Sequence, residues 1–157
     1  PGPLHRVGQP CTWCHSEYGG DDPEFGVAGT IFVQPVDGEP LVPAPGLLVR
    51  IYDTDGAIRD IPTNACGNFY VEKSVYDPGF PLLTELYTTD NQLVARMGTR
   101  IGREGSCGAC HAHPVSAFSP GVAFAPAGAL PEDFSPPAPG TCPPPRFYNP
   151  NPTLGGL

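Results

Sequence analysis

Cys11, Cys14 and His15, and again Cys107, Cys110 and His111, are the residues whose types and spacing could do chemistry in this chain. Each trio reads C-x-x-C-H: Cys11-Thr12-Trp13-Cys14-His15 and Cys107-Gly108-Ala109-Cys110-His111. Two thiols at that spacing can reach the two vinyl groups on one edge of a porphyrin and form thioethers. The His that follows directly then lies against the ring face and can bind iron. A random shuffle of 6 Cys and 4 His through 157 residues gives about 0.006 such motifs, so two are no accident. The spacing predicts two covalently attached haems c.

Zinc is the rival metal, because C-x-x-C pairs also build Cys₄ centres. Zinc ribbons place their pairs roughly 15–20 residues apart, whereas Cys14 and Cys107 are separated by most of the chain. A redox-active dithiol opens a helix in a thioredoxin-like unit, and neither motif has a β-α-β pattern around it.

Two six-coordinate haem irons with paired imidazoles need four histidines, and the chain has 4. His15 and His111 are proximal by motif. His5 and His113 are then the expected distal ligands, the bland reading of each being an ordinary surface or cap histidine. His113 follows His111 by two residues, at most ~7 Å of extended chain. It cannot easily reach the opposite face of the same haem. His113 is therefore assigned to the haem on Cys11 and Cys14 or to another subunit, and His5 by elimination to the haem on Cys107 and Cys110. Met97 is the alternative thioether ligand, but its phase with Leu93, Ala95 and Ile101 favours a packing role. Trp13 is expected to pack on or shield a porphyrin edge. Arg6, Arg100 and Arg103 are candidate propionate partners, against the plainer reading of solvated charges.

The elements that must position these residues are short. Gly (20) and Pro (23) together exceed a quarter of the chain, which disfavours long helices. Residues 1–25 read as a polar loop-like arm. Strand signals follow: Val27 to Val33, Leu47 to Tyr52 ended by the turn Asp53-Thr54-Asp55-Gly56, Ala57 to Ile61, Asn68 to Val71, Leu82 to Tyr87 and Leu93 to Ile101. About six short strands at even spacing predict an all-β fold, a small antiparallel β-sandwich over 26–101. It is flanked by haem-binding segments at 1–25 and 102–117. Residues 118–157 form an extended Pro-rich tail. From Pro114 onward the chain is expected to be extended or polyproline II. Phe118, Phe124, Phe134, Phe147 and Tyr148 are spaced along it, and a flexible linker would lack such residues. The tail is expected to dock on its own sandwich, on the haems or on a neighbouring subunit. Cys66 and Cys142 remain outside the haem motifs, and in an exported protein they are expected to form a disulfide, the alternative being two buried thiols.

Gly29-Thr30-Ile31, Pro43-Ala44-Pro45-Gly46, Tyr52-Asp53-Thr54-Asp55-Gly56, Thr63-Asn64 and Gly67-Asn68-Phe69 together resemble the carboxypeptidase regulatory-like, transthyretin-like sandwich. The resemblance covers roughly residues 26–101, departs from the family's Tyr-x-Leu pattern in the last strand pair, and implies a structural or binding module with nothing catalytic. In outline, the haem motifs and spare histidines resemble subunits of extracellular multihaem cytochrome filaments. That resemblance implies electron transfer along a polymer whose subunits exchange axial ligands.

The net charge of −8 with a single Lys argues against nucleic acid or an anionic membrane as partner, and no stretch is apolar enough to span a bilayer. The start at Pro1 without Met reads as a processed, exported chain, extracellular or at the cell surface, or else periplasmic. Three functions are weighed. The first is electron transfer by a dihaem cytochrome expected to polymerise into an extracellular haem filament, the alternative being a monomeric periplasmic shuttle. Its partners are other copies, other redox proteins or extracellular acceptors. The second is a dihaem peroxidase-like enzyme, which needs an open iron site. The third is a structural or carbohydrate-binding sandwich without functional haem. The matched count of histidines favours the first, a protein that is not an enzyme.

Overall fold

The structure is a computed structural model that describes residues 2–117 and 119–147. Its centre is β3 (Leu47–Tyr52), where Leu47, Val49 and Ile51 are buried and the residues between them are half-exposed. That alternation buries one sheet face. The turn at Asp53–Gly56 returns the chain as β4 (Ile58–Pro62), and the Asp53 carboxylate closes the turn by accepting from the Ala57 amide at 2.8 Å. β3 also pairs with β6 (Leu83–Thr88), and β6 with β7 (Leu93–Arg96), giving a four-stranded antiparallel sheet in the order β4-β3-β6-β7.

The facing layer is β1 (Phe25–Thr30) paired antiparallel with β5 (Asn68–Glu72). Val27 and Phe69 from this pair join Leu47, Val49, Ile51, Leu82 and Leu86 in one apolar core. The expected all-β architecture is present. No helix among the described residues is long and apolar enough to cross a membrane.

Three elements differ from expectation. The strand read as Val27 to Val33 is split at Ile31, leaving β2 as Phe32–Val33. Ile31 turns aside to bond Gly67 and Ala44. A Cβ on Gly67 would lie 2.3 Å from the Ile31 carbonyl, and its φ of +69° lies in the left-handed region that favours glycine. The strand read as Leu93 to Ile101 ends at Arg96, apart from a bridge between Ile101 and Leu82. Gly98, Thr99 and Arg100 are exposed and offer no apolar face to hold a strand there. The tail, in contrast, supplies a strand: β8 (Phe124–Ala125) pairs parallel with β2. A 3₁₀ turn at Ala127–Ala129 follows.

The described part of the tail, 119–147, packs on its own sandwich. Leu130 and Phe134 pack against the main core. Phe147 and Cys142 pack on a second cluster of Val7, Phe32, Cys66 and Val122. Phe124 is 41% exposed; Phe118 and Tyr148 lie outside the described residues. The Cys66–Cys142 disulfide is formed across 76 residues of sequence and ties the tail to the turn before β5.

Glu85 on β6 is 3% exposed and accepts from Tyr52 at 2.8 Å, Tyr87 at 2.7 Å and Arg96 at 2.5 Å. The bond from Tyr87, helped by Tyr52 and Arg96, outweighs burial and holds its carboxyl below the ordinary range. A carboxylate whose pKa falls on folding stabilises the protein above its unfolded pKa and loses that contribution as pH drops through the folded value. Glu85→Gln is therefore expected to lower stability at neutral pH by about 2 kcal/mol. It should also flatten the acid limb of urea denaturation measured down to about pH 2. Replacing Cys66 and Cys142 together with Ala should cost about 4 kcal/mol in the same measurement, because the loop they close is long.

Candidate haem-attachment site

Each C-x-x-C-H motif forms a single helical turn: α1 (Cys11–Cys14) and α2 (Cys107–Cys110). The first was expected on a loop. In both, the amide of the following His closes the turn on the first Cys carbonyl, at 3.0 Å for His15 and 2.8 Å for His111. The turn carries both thiols and the imidazole in one repeating arrangement.

Both turns lie on β1. The Phe25 amide donates to the His15 carbonyl and the Ala28 amide to Gly105, each at 2.9 Å. Small residues allow this approach. A Cβ on Gly29 would sit 2.8 Å from the Cys107 Cβ, and one on Gly108 would sit 2.7 Å from the Gln9 carbonyl beside α1. The two motifs, 92 or more residues apart in sequence, are thereby brought together.

Glu104 joins them. One carboxylate oxygen accepts from Thr12 at 3.0 Å and from the Ser106 amide at 2.7 Å; the other accepts from the Trp13 indole at 3.3 Å. Trp13, expected to pack on or shield a porphyrin edge, directs its indole N–H to this carboxylate.

His15 donates from Nδ1 to the Pro23 carbonyl, and His111 from Nδ1 to the Gly121 carbonyl, both at 2.9 Å. A carbonyl only accepts, so Nδ1 carries the proton and the Nε2 lone pair is left to bind a metal. His15 is buried and stacks on Phe25 at 4.1 Å, and Phe25 stacks on Tyr70 at 4.6 Å.

The distal candidates are placed differently from expectation. His5 was assigned by elimination to the second motif, but its ring lies 5.9 Å from that of His15, across the same cavity. Chain connectivity alone could not foresee this, because the arm is held by contacts made later in the sequence: the Asn64 side chain donates to the Pro3 carbonyl at 2.8 Å and that of Asn68 to the His5 carbonyl at 3.1 Å. The two ring planes are tilted by 49° to one another. The Nδ1 of His5 is bonded to the Gly2 carbonyl, which again leaves Nε2. His113 is exposed, with its ring 5.9 Å from Phe147.

Each motif borders a cavity. The first, about 240 Å³, is walled by His5, Cys11, Cys14, His15, Phe25 and Tyr70, with Arg6 on its lining. The second, about 910 Å³, is bordered by Cys107, Cys110 and His111, by apolar side chains such as Phe69 and Val122, and by Arg100 and Arg103. It falls in the size range of cofactor pockets. The buried hydroxyls of Thr84 and Ser106, without hydrogen-bond partners, belong to residues of this wall. Met97, expected in the core, belongs to the same wall.

Burial pushes the Cys11 thiol up to about 11 and the Cys107 thiol up to about 12, so neither is poised as a thiolate at neutral pH. All four motif cysteines are free of disulfides. Among the described residues no three His, Cys, Asp or Glu side chains converge as a cage for a metal ion. A haem iron asks less of the protein, since the porphyrin supplies four ligands and only the axial pair comes from side chains. The donor set and the larger cavity fit that group.

Sequence reasoning missed Glu104 and the carbonyls of Pro23 and Gly121. An acid three residues before Cys107 was a weak signal; a backbone acceptor leaves none. No protein-family model matches the chain, and neither a curated protein nor a solved structure matches it.

Glu104→Ala removes the acceptor shared by both turns and is expected to lower the unfolding free energy by about 2 kcal/mol. Glu104→Gln, which keeps one acceptor oxygen, should cost less in the same denaturation series.

Proposed function

We propose that this chain is a dihaem c-type cytochrome that transfers electrons and is not an enzyme. The observation that carries the reading is the matched pair of Nδ1–carbonyl bonds at His15 and His111, in two turns of the same geometry. Bound at the two turns, haem would supply one-electron redox centres. Cys11 with Cys14, and Cys107 with Cys110, would hold the thioethers. His5 and His15 would flank the first iron, and His111 would ligate the second. Glu104 and the small residues of β1 keep the two sites adjacent, which electron exchange between them requires. Arg6 at the first cavity, and Arg100 and Arg103 at the second, would pair with propionates. The β-sandwich is the scaffold, in keeping with the structural role implied by its carboxypeptidase regulatory-like resemblance. The disulfide favours an oxidising compartment, so the protein is read as exported, to the cell surface, the medium or the periplasm.

Polymerisation into a haem filament is the second reading. The observation favouring it is His113, exposed and too near His111 in sequence to serve the same haem. Against it, Leu130, Phe134 and Phe147 are half-buried against their own sandwich. A compact electron shuttle is the form the packing supports better.

Intact mass under denaturing conditions should exceed that of the polypeptide by two haems, because thioethers survive unfolding. Cys110→Ala should weaken or abolish attachment at the second motif alone. A mass equal to the bare polypeptide, or one showing only zinc, refutes the reading. A high-spin ferric spectrum at both irons would point to the peroxidase-like alternative. In sedimentation the holoprotein should remain monomeric as concentration rises; concentration-dependent polymers abolished by His113→Ala would establish the filament in its place.

A further inference from the structure

We propose that the thioether of Met97 is the sixth ligand of the iron held by Cys107, Cys110 and His111. The inference rests on the dihaem reading and names a ligand that reading leaves open. At the first motif two imidazoles lie side by side, His5 and His15, with ring centroids 5.9 Å apart and planes tilted by 49°. The second motif has no such partner histidine. His113 is two residues beyond His111, within ~7 Å of extended chain, and its exposed ring lies beside Phe147. It cannot swing to the far face of the ring that His111 ligates.

Met97 is the single Met of the chain. Its strand phase placed it in the core, yet it belongs to neither apolar cluster. It lies one residue past the end of β7, half-buried, where its amide donates to the Thr84 carbonyl at 3.0 Å. From there it enters the wall of the 910 Å³ cavity that Cys107, Cys110 and His111 also border. Aside from those three, it is the only soft donor of that wall among the described residues, and soft thioethers suit haem iron. Coordination needs no further reactant: a sulfur lone pair forms the iron–sulfur bond, and no proton or electron changes hands.

His/Met ligation raises the reduction potential relative to paired imidazoles. The second centre would therefore take electrons from the first, which gives the pair a direction.

The test uses the full-length holoprotein after intact mass has confirmed two haems. The ferric protein should show the long-wavelength sulfur-to-iron charge-transfer band at an intensity corresponding to one haem in two, and redox titration should resolve two waves. Met97→Ala should abolish the band while both haems remain attached, Met97→His should move the upper wave down toward the lower one, and His113→Ala should leave the band unchanged. Two bis-histidine haems without the band in the unmodified protein would overturn the proposal, whether the ligand comes from His113 of a neighbouring copy or elsewhere. So would a band that survives Met97→Ala. Absence of two haems from the mass overturns the dihaem reading itself, and this proposal with it.

Discussion

A strand with almost no side chains on its working surface makes the rest of this molecule possible. β1 contains Gly26, Ala28 and Gly29, and each is approached by backbone or by a motif residue. A Cβ on Gly26 would meet the Tyr76 carbonyl at 2.4 Å, and one on Gly29 would meet Cys107 at 2.8 Å. A larger residue at Gly29 would push the second C-x-x-C-H turn away from the sheet. Because both turns rest on the same few residues, their separation is set by backbone contact and not by long side chains. Glu104 then links Thr12, Trp13 and Ser106, so that displacement of one turn is transmitted to the other.

A small sandwich has limited apolar area, and a peripheral arm and tail must be held by other means. The second cluster does this at one end of the molecule. Val7 from the arm, Phe32 and Cys66 from the sandwich, and Val122, Cys142 and Phe147 from the later segments meet there. The disulfide lies within it, so the covalent link and the apolar contact act at one place. The Arg146 amide adds a bond to the Val7 carbonyl at 2.9 Å, joining arm and tail directly. The arm so fixed is the one that places His5 against His15.

The outer face of the four-stranded sheet is organised by charge. Arg50 forms a two-pronged pair with Asp60 at 2.6 and 2.7 Å and lies 4.2 Å above the Tyr87 ring. Paired with Arg50 in register is Glu85, whose own partners are Tyr52, Tyr87 and Arg96. Neighbouring strands are thus cross-linked on the polar face while Leu47, Val49 and Ile51 interlock on the other. A rigid β6 matters for the cavity beneath it, because Thr84 and Leu86 are part of that wall.

Local features were legible in the residues alone. The alternation of Leu47, Val49 and Ile51, the Asp53–Gly56 turn, the pairing of the two leftover cysteines and the doubled C-x-x-C-H all depend on neighbours in sequence or on a count, and each is recoverable without coordinates. The ends of strands were less so. Leu93 to Ile101 keeps an apolar period that the chain abandons at Arg96, because pairing depends on what β6 offers and on a shift of register at Leu86/Tyr87. The strand Phe124–Ala125 left no signal at all, since two residues show no period and only β2 makes them a strand. The site divides in the same way. The motif spacing picked out the two thiol pairs and the two imidazoles that follow them. The tertiary structure decided that His5 lies beside His15, that Met97 leaves the core for a cavity wall and that Glu104 joins two distant turns. Those outcomes rest on contacts between segments tens of residues apart, where spacing carries no information about which surfaces meet.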